Sequence, residues 1–140
     1  MRPLVFLLWL LSGCFEAGVD TGSTEDDLGL AGVAEVHIIS LAGWGGQERS
    51  VPDTVRTHPG GAVVFEVSDF RVHTVEFMAE GMTPAQSAAI EENAQFKGPP
   101  LIERGSRYVV TFHGAPPGTY PYRITGLGEP ALGAVVIEVP

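Results

Sequence analysis

Cysteine is almost missing from this chain: its 140 residues include one, Cys14. A single thiol closes no intrachain disulfide and supplies no cysteine cluster for a structural zinc site. Positive charge is also scarce, with 8 Lys and Arg against 17 Asp and Glu, a net charge of −9 and a pI near 4.7. Such a chain repels the phosphates of nucleic acid and offers anionic lipid no polybasic patch. The apolar run Leu4 to Leu10 is too short to span a bilayer as a stable helix. None of Ser68, Ser87 or Ser106 stands in a Gly-x-Ser-x-Gly context, and there is no phosphate-binding glycine loop. Glu91 and Glu92 are adjacent on an expected helix, where neighbours point apart, so they read as a solvated face. No enzymatic activity is expected.

What the chain does have is turn residues and β-branched runs. Eighteen glycines and eleven prolines accompany a hydrophobic content of 44%, ample for a core and better suited to an all-β fold than to helical bundles. Ala34 to Leu41 reads as the first strand, broken at Gly43-Trp44-Gly45-Gly46. Trp44 reads as a lid over a sheet edge, with an exposed aromatic at a partner site as the other reading. A short edge strand containing Pro52 follows, then a strong strand ending at Val67. Arg71 to Phe77 alternates, with His73, Val75 and Phe77 on one side and Val72, Thr74 and Glu76 on the other. The one helix is expected from Thr83, with Thr83 as N-cap, Pro84 at the first helical position and Gln86 closing a capping box. Its packed face should contain Ala85, Ala88, Ala89 and Glu92. Tyr108 to Phe112 is a further strand, and Tyr120, Tyr122 and Ile124 alternate in a strand that leads through a Gly/Pro-rich loop to Ala134–Val139.

The N-terminus carries an address. Met1-Arg2 gives a short positive start, and Leu11-Ser12-Gly13-Cys14 after the apolar run resembles the bacterial lipobox, cut before a cysteine that is then lipidated. The expected layout is a signal peptide at 1–13, a flexible acidic tether at 14–32 and a folded domain at 33–140. Cys14 would join the protein to a lipid bilayer in the bacterial cell envelope, facing the periplasm or the exterior. Phe15 rather than Asp follows it, so the enterobacterial inner-membrane retention signal is missing and the choice of membrane stays open.

Several of these pieces together resemble the cupredoxins, the β-sandwich copper proteins of the plastocyanin and azurin type. An extended segment around Pro52 and Val55 ahead of Val63-Val64-Phe65, the sequence His73-Thr74-Val75-Glu76-Phe77, and the final strand-loop-strand from Gly118 to Val139 all stand in that family's order. The resemblance implies a cupredoxin-like Greek-key β-sandwich of about seven strands with one short helix, in which Tyr120 makes a tyrosine corner. It also implies that His73 stands at the first copper-ligand position. The remaining ligands would be a Cys, a His three residues later and a Met five after that, and this spacing falls on Ile124, Leu127 and Leu132. A type 1 site needs two imidazoles and a thiolate with a weak axial thioether, and three of those four groups are gone.

No cofactor is therefore expected, with copper as the alternative through His73 in a site of another kind or one completed by a partner. Met78 and Met82 are the nearest candidates to help it. A lone His73 in an apolar setting should be packed and hydrogen-bonded through one ring nitrogen. Family members dock redox partners on the apolar surface at this end, which implies a protein partner here for Leu127, Pro130 and Leu132. The other arrangement left open has the leucines turned inward to fill the space of the metal. The leading expectation is a membrane-anchored binding or scaffold module without type 1 copper, and the alternative is a copper-binding or electron-transfer protein.

Overall fold

The computed structural model describes residues 29–30 and 32–140. The β-branched runs form eight strands: β1 (Val36–Trp44), β2 (Gln47–Val51), β3 (Thr54–Thr57), β4 (Ala62–Val67), β5 (Thr74–Phe77), β6 (Arg107–Thr111), β7 (Gly118–Thr125) and β8 (Ala131–Ile137). One α-helix, α1 (Pro84–Glu92), crosses between β5 and β6 after a single 3-10 turn at Ala79–Gly81. The strands make two four-stranded sheets, ordered β2-β1-β4-β6 and β3-β8-β7-β5. β1 pairs in parallel with β4, and β3 with β8, while the other pairs are antiparallel.

The sandwich agrees with the sequence reading of about seven strands and one short helix, with eight strands among the described residues. The edge strand read around Pro52 is β3, and the further strand is β2, which lies just ahead of it. β2 folds back along β1, and β3 joins β8 after the chain changes sheet at the cis Val51–Pro52 bond. Pro52 thus lies between strands, where its missing N–H removes nothing from a ladder.

Alternation puts Tyr120, Tyr122 and Ile124 of β7 wholly inside, facing Phe65 from the other sheet and Phe77 from β5. Edge-to-face pairs organise this core, with Phe65 and Tyr122 centroids 5.1 Å apart and Phe112 and Tyr120 5.4 Å apart. Tyr120 OH donates to Pro116 O at 2.6 Å, which is the tyrosine corner the fold requires. Tyr122 OH bridges Asp53 O at 2.9 Å and Ser50 Oγ at 3.1 Å. Burial pushes its phenol up to about 12, against a smaller downward pull from Ser50. Gly133 is what lets this hydroxyl through, because a Cβ there would collide with the tip of the Tyr122 ring and with Asp53 O.

The helix begins as the sequence indicates. Gln86 N donates to Thr83 Oγ1 at 3.2 Å and Thr83 N donates to Gln86 Oε1 at 2.8 Å, a complete capping box. Its packed face differs, however: Gln86 and Ile90 are buried, with Ala89 beside them, whereas Ala85, Ala88 and Glu92 are exposed. Gln86 turns inward because its amide also donates to Thr119 O at 3.3 Å, tying the helix to β7.

At the start of the described chain, Leu30 is buried with Ala62 and Val64 on the outer face of the first sheet. Cys14, the segment read as a signal peptide and most of the stretch read as a tether lie outside the described residues. Among the described residues no helix is long and apolar enough to cross a membrane.

Candidate functional site

Three connections converge at one end of the sandwich. The β1–β2 turn meets the β7–β8 loop through Glu129 N donating to Gly46 O and Glu48 N donating to Glu129 O, both at 2.8 Å. The β4–β5 connection joins β1 where Gly43 N donates to Asp69 Oδ2 at 2.7 Å. His73 stands just before β5, its main chain held by reciprocal bonds with Leu101 at 3.1 and 2.8 Å. The alternation that buries Val75 and Phe77 turns the His73 ring inward as well, and it is fully buried.

The ring is gripped from both edges. Nδ1 lies 2.5 Å from Glu48 Oε2 and Nε2 lies 2.7 Å from Asp69 Oδ1. Both ring nitrogens are therefore occupied by carboxylate oxygens, one from each side. The other oxygens are used too. Glu48 Oε1 accepts from Gly128 N at 3.0 Å, and Asp69 accepts from Gly43 N and, at 3.0 Å, from Arg71 N. Burial pushes the Asp69 carboxyl up, but the bonds from His73 and from the Gly43 and Arg71 N–H groups outweigh it, and the group sits below its ordinary value. A continuous chain of charge-assisted bonds thus runs from the β7–β8 loop through Glu48, His73 and Asp69 to β1. The expectation of a His73 bonded through one nitrogen is corrected: both are engaged, because two carboxylates reach it from opposite sides.

The other positions marked by the sequence do not gather around His73. Ile124 is buried in the core opposite Val75. Leu127 is 83% exposed and borders a hollow with Val72, Thr74, Thr125 and Gly126. Leu132, 63% exposed, borders a separate hollow with Arg49, Val51 and Asp53, and Pro130 is exposed between them. Of the two arrangements left open, the leucines take the outward one. The reason is steric, since the space beneath the loop belongs to Glu48. A Cβ on Gly126 would stand 2.6 Å from Glu48 Oε1 and 2.6 Å from Val72 O, and one on Gly128 would stand 2.8 Å from Gly46 O. Only glycines let the loop settle this closely.

These residues do not fit type 1 copper. Ile124, Leu127 and Leu132 carry no donor atom, and both nitrogens of His73 already face carboxylates on opposite edges of the ring. Met78 and Met82 are not beside His73, because they follow β5 at its other end, where Met78 N donates to Pro121 O and Met82 packs on the core. Among the described residues no group of three or more His, Cys, Asp and Glu side chains is arranged to hold a metal ion.

The remaining paired histidines lie at the opposite end of the sandwich. His37 Nε2 is 2.8 Å from Glu35 Oε1 and His58 Nδ1 is 3.0 Å from Glu35 Oε2. The His58 bond and then the His37 bond, opposed by burial, hold the Glu35 carboxyl down at about 2. Trp44, 71% exposed, is not a lid.

The sequence reading passed over Glu48. It sits on a strand whose inward positions, Glu48 and Ser50, are polar, so the usual apolar alternation is missing from β2. The signal that remained was the pair Gly126 and Gly128, whose spacing marks a loop pressed onto something beneath it.

With the geometry in hand, the chain resembles solved copper proteins. A proline-to-glycine variant of amicyanin in its reduced Cu(I) form at pH 4 matches with a TM-score of 0.51 and 24% identity, over 77% of this chain and 88% of that one. A methionine-to-alanine amicyanin in the Cu(I) state matches with 0.51 and 25% over the same shares. A methionine-to-glutamine variant, also Cu(I), gives 0.50 and 23%, again over 77% and 88%. No family model and no curated protein sequence matches the chain. The likeness in structure establishes the fold, which is the one these proteins share.

Proposed function

Starting from a chain with the cupredoxin fold, we propose that it works as a membrane-anchored binding or scaffold module of the bacterial cell envelope, without type 1 copper. The observation that supports this most is the buried cluster of Glu48, His73 and Asp69, which commits both nitrogens of His73 to carboxylates. In this reading charge-assisted hydrogen bonds do the structural part of a metal centre's work. They clamp three loops together without supplying an electron carrier.

Anchoring rests on the lipobox at Leu11–Cys14. The geometry suits a tethered module, because Leu30 packs near the start of β1 and the converging loops lie past its end. β1 has 9 residues, so about 30 Å separates the two. An anchor before Leu30 would therefore leave the loop end free to face away from the bilayer. That end exposes Leu127, Pro130 and Leu132, and we assign protein docking to it.

The test is a calorimetric titration of the full chain in detergent with Cu(II) and, under reducing conditions, with Cu(I), alongside His73→Ala checked for folding by circular dichroism. The reading expects no tight one-to-one binding that depends on His73. Tight stoichiometric binding lost in a folded His73→Ala protein would overturn it in favour of a copper-handling role. Mass spectrometry of the mature protein tests the anchor: a diacylated or triacylated Cys14 at the N-terminus is expected, and an unmodified chain would remove the membrane from the proposal.

A further inference from the structure

Charge is spread unevenly over this acidic sandwich. Of the 8 Lys and Arg all but Arg2 are described, and Arg56, Arg107 and Arg123 each hold a glutamate: Glu138, Glu66 and Glu76. Arg49, Arg71, Lys97 and Arg104 make no ion pair among the described residues. Three of these four belong to the loop end. Arg71 lies against Gly43, where a Cβ would stand 2.6 Å from its Nη1. Arg104 sits over the Phe70 ring, 5.6 Å from its centroid. Arg49 is opposite Ala42 in the first sheet, on the same outward side as Trp44.

The carboxylates around them are mostly spent. Glu48 and Asp69 hold His73, and Glu66 holds Arg107, which among the described residues leaves Glu103 and Glu129 exposed at this end and Asp53 beside Arg49 in one hollow. A chain with a net charge of −9 thus keeps three arginines without ion pairs at the end that also displays Trp44 at 71% and Phe70 at 84% exposure, with Arg104 over the Phe70 ring. Exposed Trp and Arg are the side chains that dominate binding energy in protein interfaces. Guanidinium groups without carboxylate partners of their own select carboxylates in the surface that covers them.

Resting on the docking role assigned above, we propose that the partner is a protein whose contact face is apolar and rimmed by Asp and Glu side chains. Trp44 and Phe70 meet its apolar part, and Arg71 and Arg104 pair with the rim. An anionic membrane shares some of this chemistry. A protein is favoured because the described chain enters the domain about 30 Å away, near the start of β1.

The probes are two fluorescein-labelled 15-residue peptides of identical Leu and Phe content, one interspersed with Glu and the other with Lys. They are titrated by anisotropy against the full chain in detergent at low and high salt. The Glu peptide should bind at least about ten-fold more tightly at low salt. Its preference should vanish in 0.5 M NaCl, where screening is nearly complete within a few ångströms, about 4 Å. It should also vanish in Arg71→Ser/Arg104→Ser, whose thermal unfolding should match the parent.

Equal binding of both peptides, erased by Leu127→Asp, would overturn this proposal and leave the docking role intact. Binding of neither would overturn both. Anionic phospholipid vesicles that bind more tightly than the Glu peptide, with the same dependence on Arg71 and Arg104, would replace the protein with a lipid surface and refute it. A gain in Glu-peptide affinity on Glu25→Gln/Asp26→Asn/Asp27→Asn would refute it in favour of the chain's own acidic segment as occupant.

Discussion

Glu48→Ala removes one side of the buried cluster and tests whether the cluster clamps the loops. In the native protein Glu48 holds His73 Nδ1 at 2.5 Å and receives the Gly128 N–H at 3.0 Å, with both side chains of the ion pair fully buried. Its loss strands one ring nitrogen of the buried His73 and one main-chain donor. Breaking a buried pair from one side typically costs about 3–5 kcal/mol, far more than an exposed pair contributes. For a domain of this size that lowers Tm by on the order of 15 °C. Urea unfolding followed by tryptophan fluorescence should show the midpoint falling with an unchanged m-value. Amide exchange at Gly128 should quicken ahead of the core. Glu48→Leu/His73→Leu is the companion variant, since it removes the buried charge together with its partner. Asp69 keeps its bonds from Gly43 and Arg71, so the double variant should lose less than the sum of the two single replacements by about 1–3 kcal/mol. A loss below about 1 kcal/mol for Glu48→Ala, or strict additivity in the cycle, would refute the clamp.

Acid should expose the far end of the sandwich. The Glu35 carboxyl is lowered from 4.5 to about 2, so its contribution to stability is complete above pH 4.5 and drains away as the pH falls towards 2; a urea series across that window should show the decline, and Glu35→Gln should flatten it. Tyr122 should ionise only near pH 12, and Tyr122→Phe should remove that late step from an absorbance titration at a cost of about 1 kcal/mol. Leu127→Asp and Leu132→Asp should leave thermal stability within about 0.5 kcal/mol of the parent, because both side chains are largely exposed; a larger loss would mean they pack on something.

Much of the architecture was legible because it follows from short-range chemistry. Alternation in Val72–Phe77 and Tyr120–Ile124 places the inward residues correctly, since a strand's period admits no other arrangement once one face is buried. Thr83, Pro84 and Gln86 specify the helix start through bonds made within one turn. β2 was missed because its inward residues are a carboxylate and a hydroxyl, which carry no hydrophobic period. The helix face was misassigned because Gln86 buries through a bond to Thr119, a partner far away in sequence.

The candidate site divides along the same line. By itself the sequence determined that Ile124, Leu127 and Leu132 cannot ligate copper, because a side chain without a lone pair cannot do so in any fold. It also determined that His73 would face inward. Only the tertiary structure decided what His73 meets. Glu48 is 25 residues away in sequence and Gly128 a further 80 from Glu48, and nothing local announces that one carboxylate will reach both. Only the fold, too, turned Leu127 and Leu132 outward, by filling the space under their loop with that carboxylate. Composition fixes which groups can donate, accept or hold a charge. Their pairing depends on distances across loops that the chain sets only when its sheets close on each other.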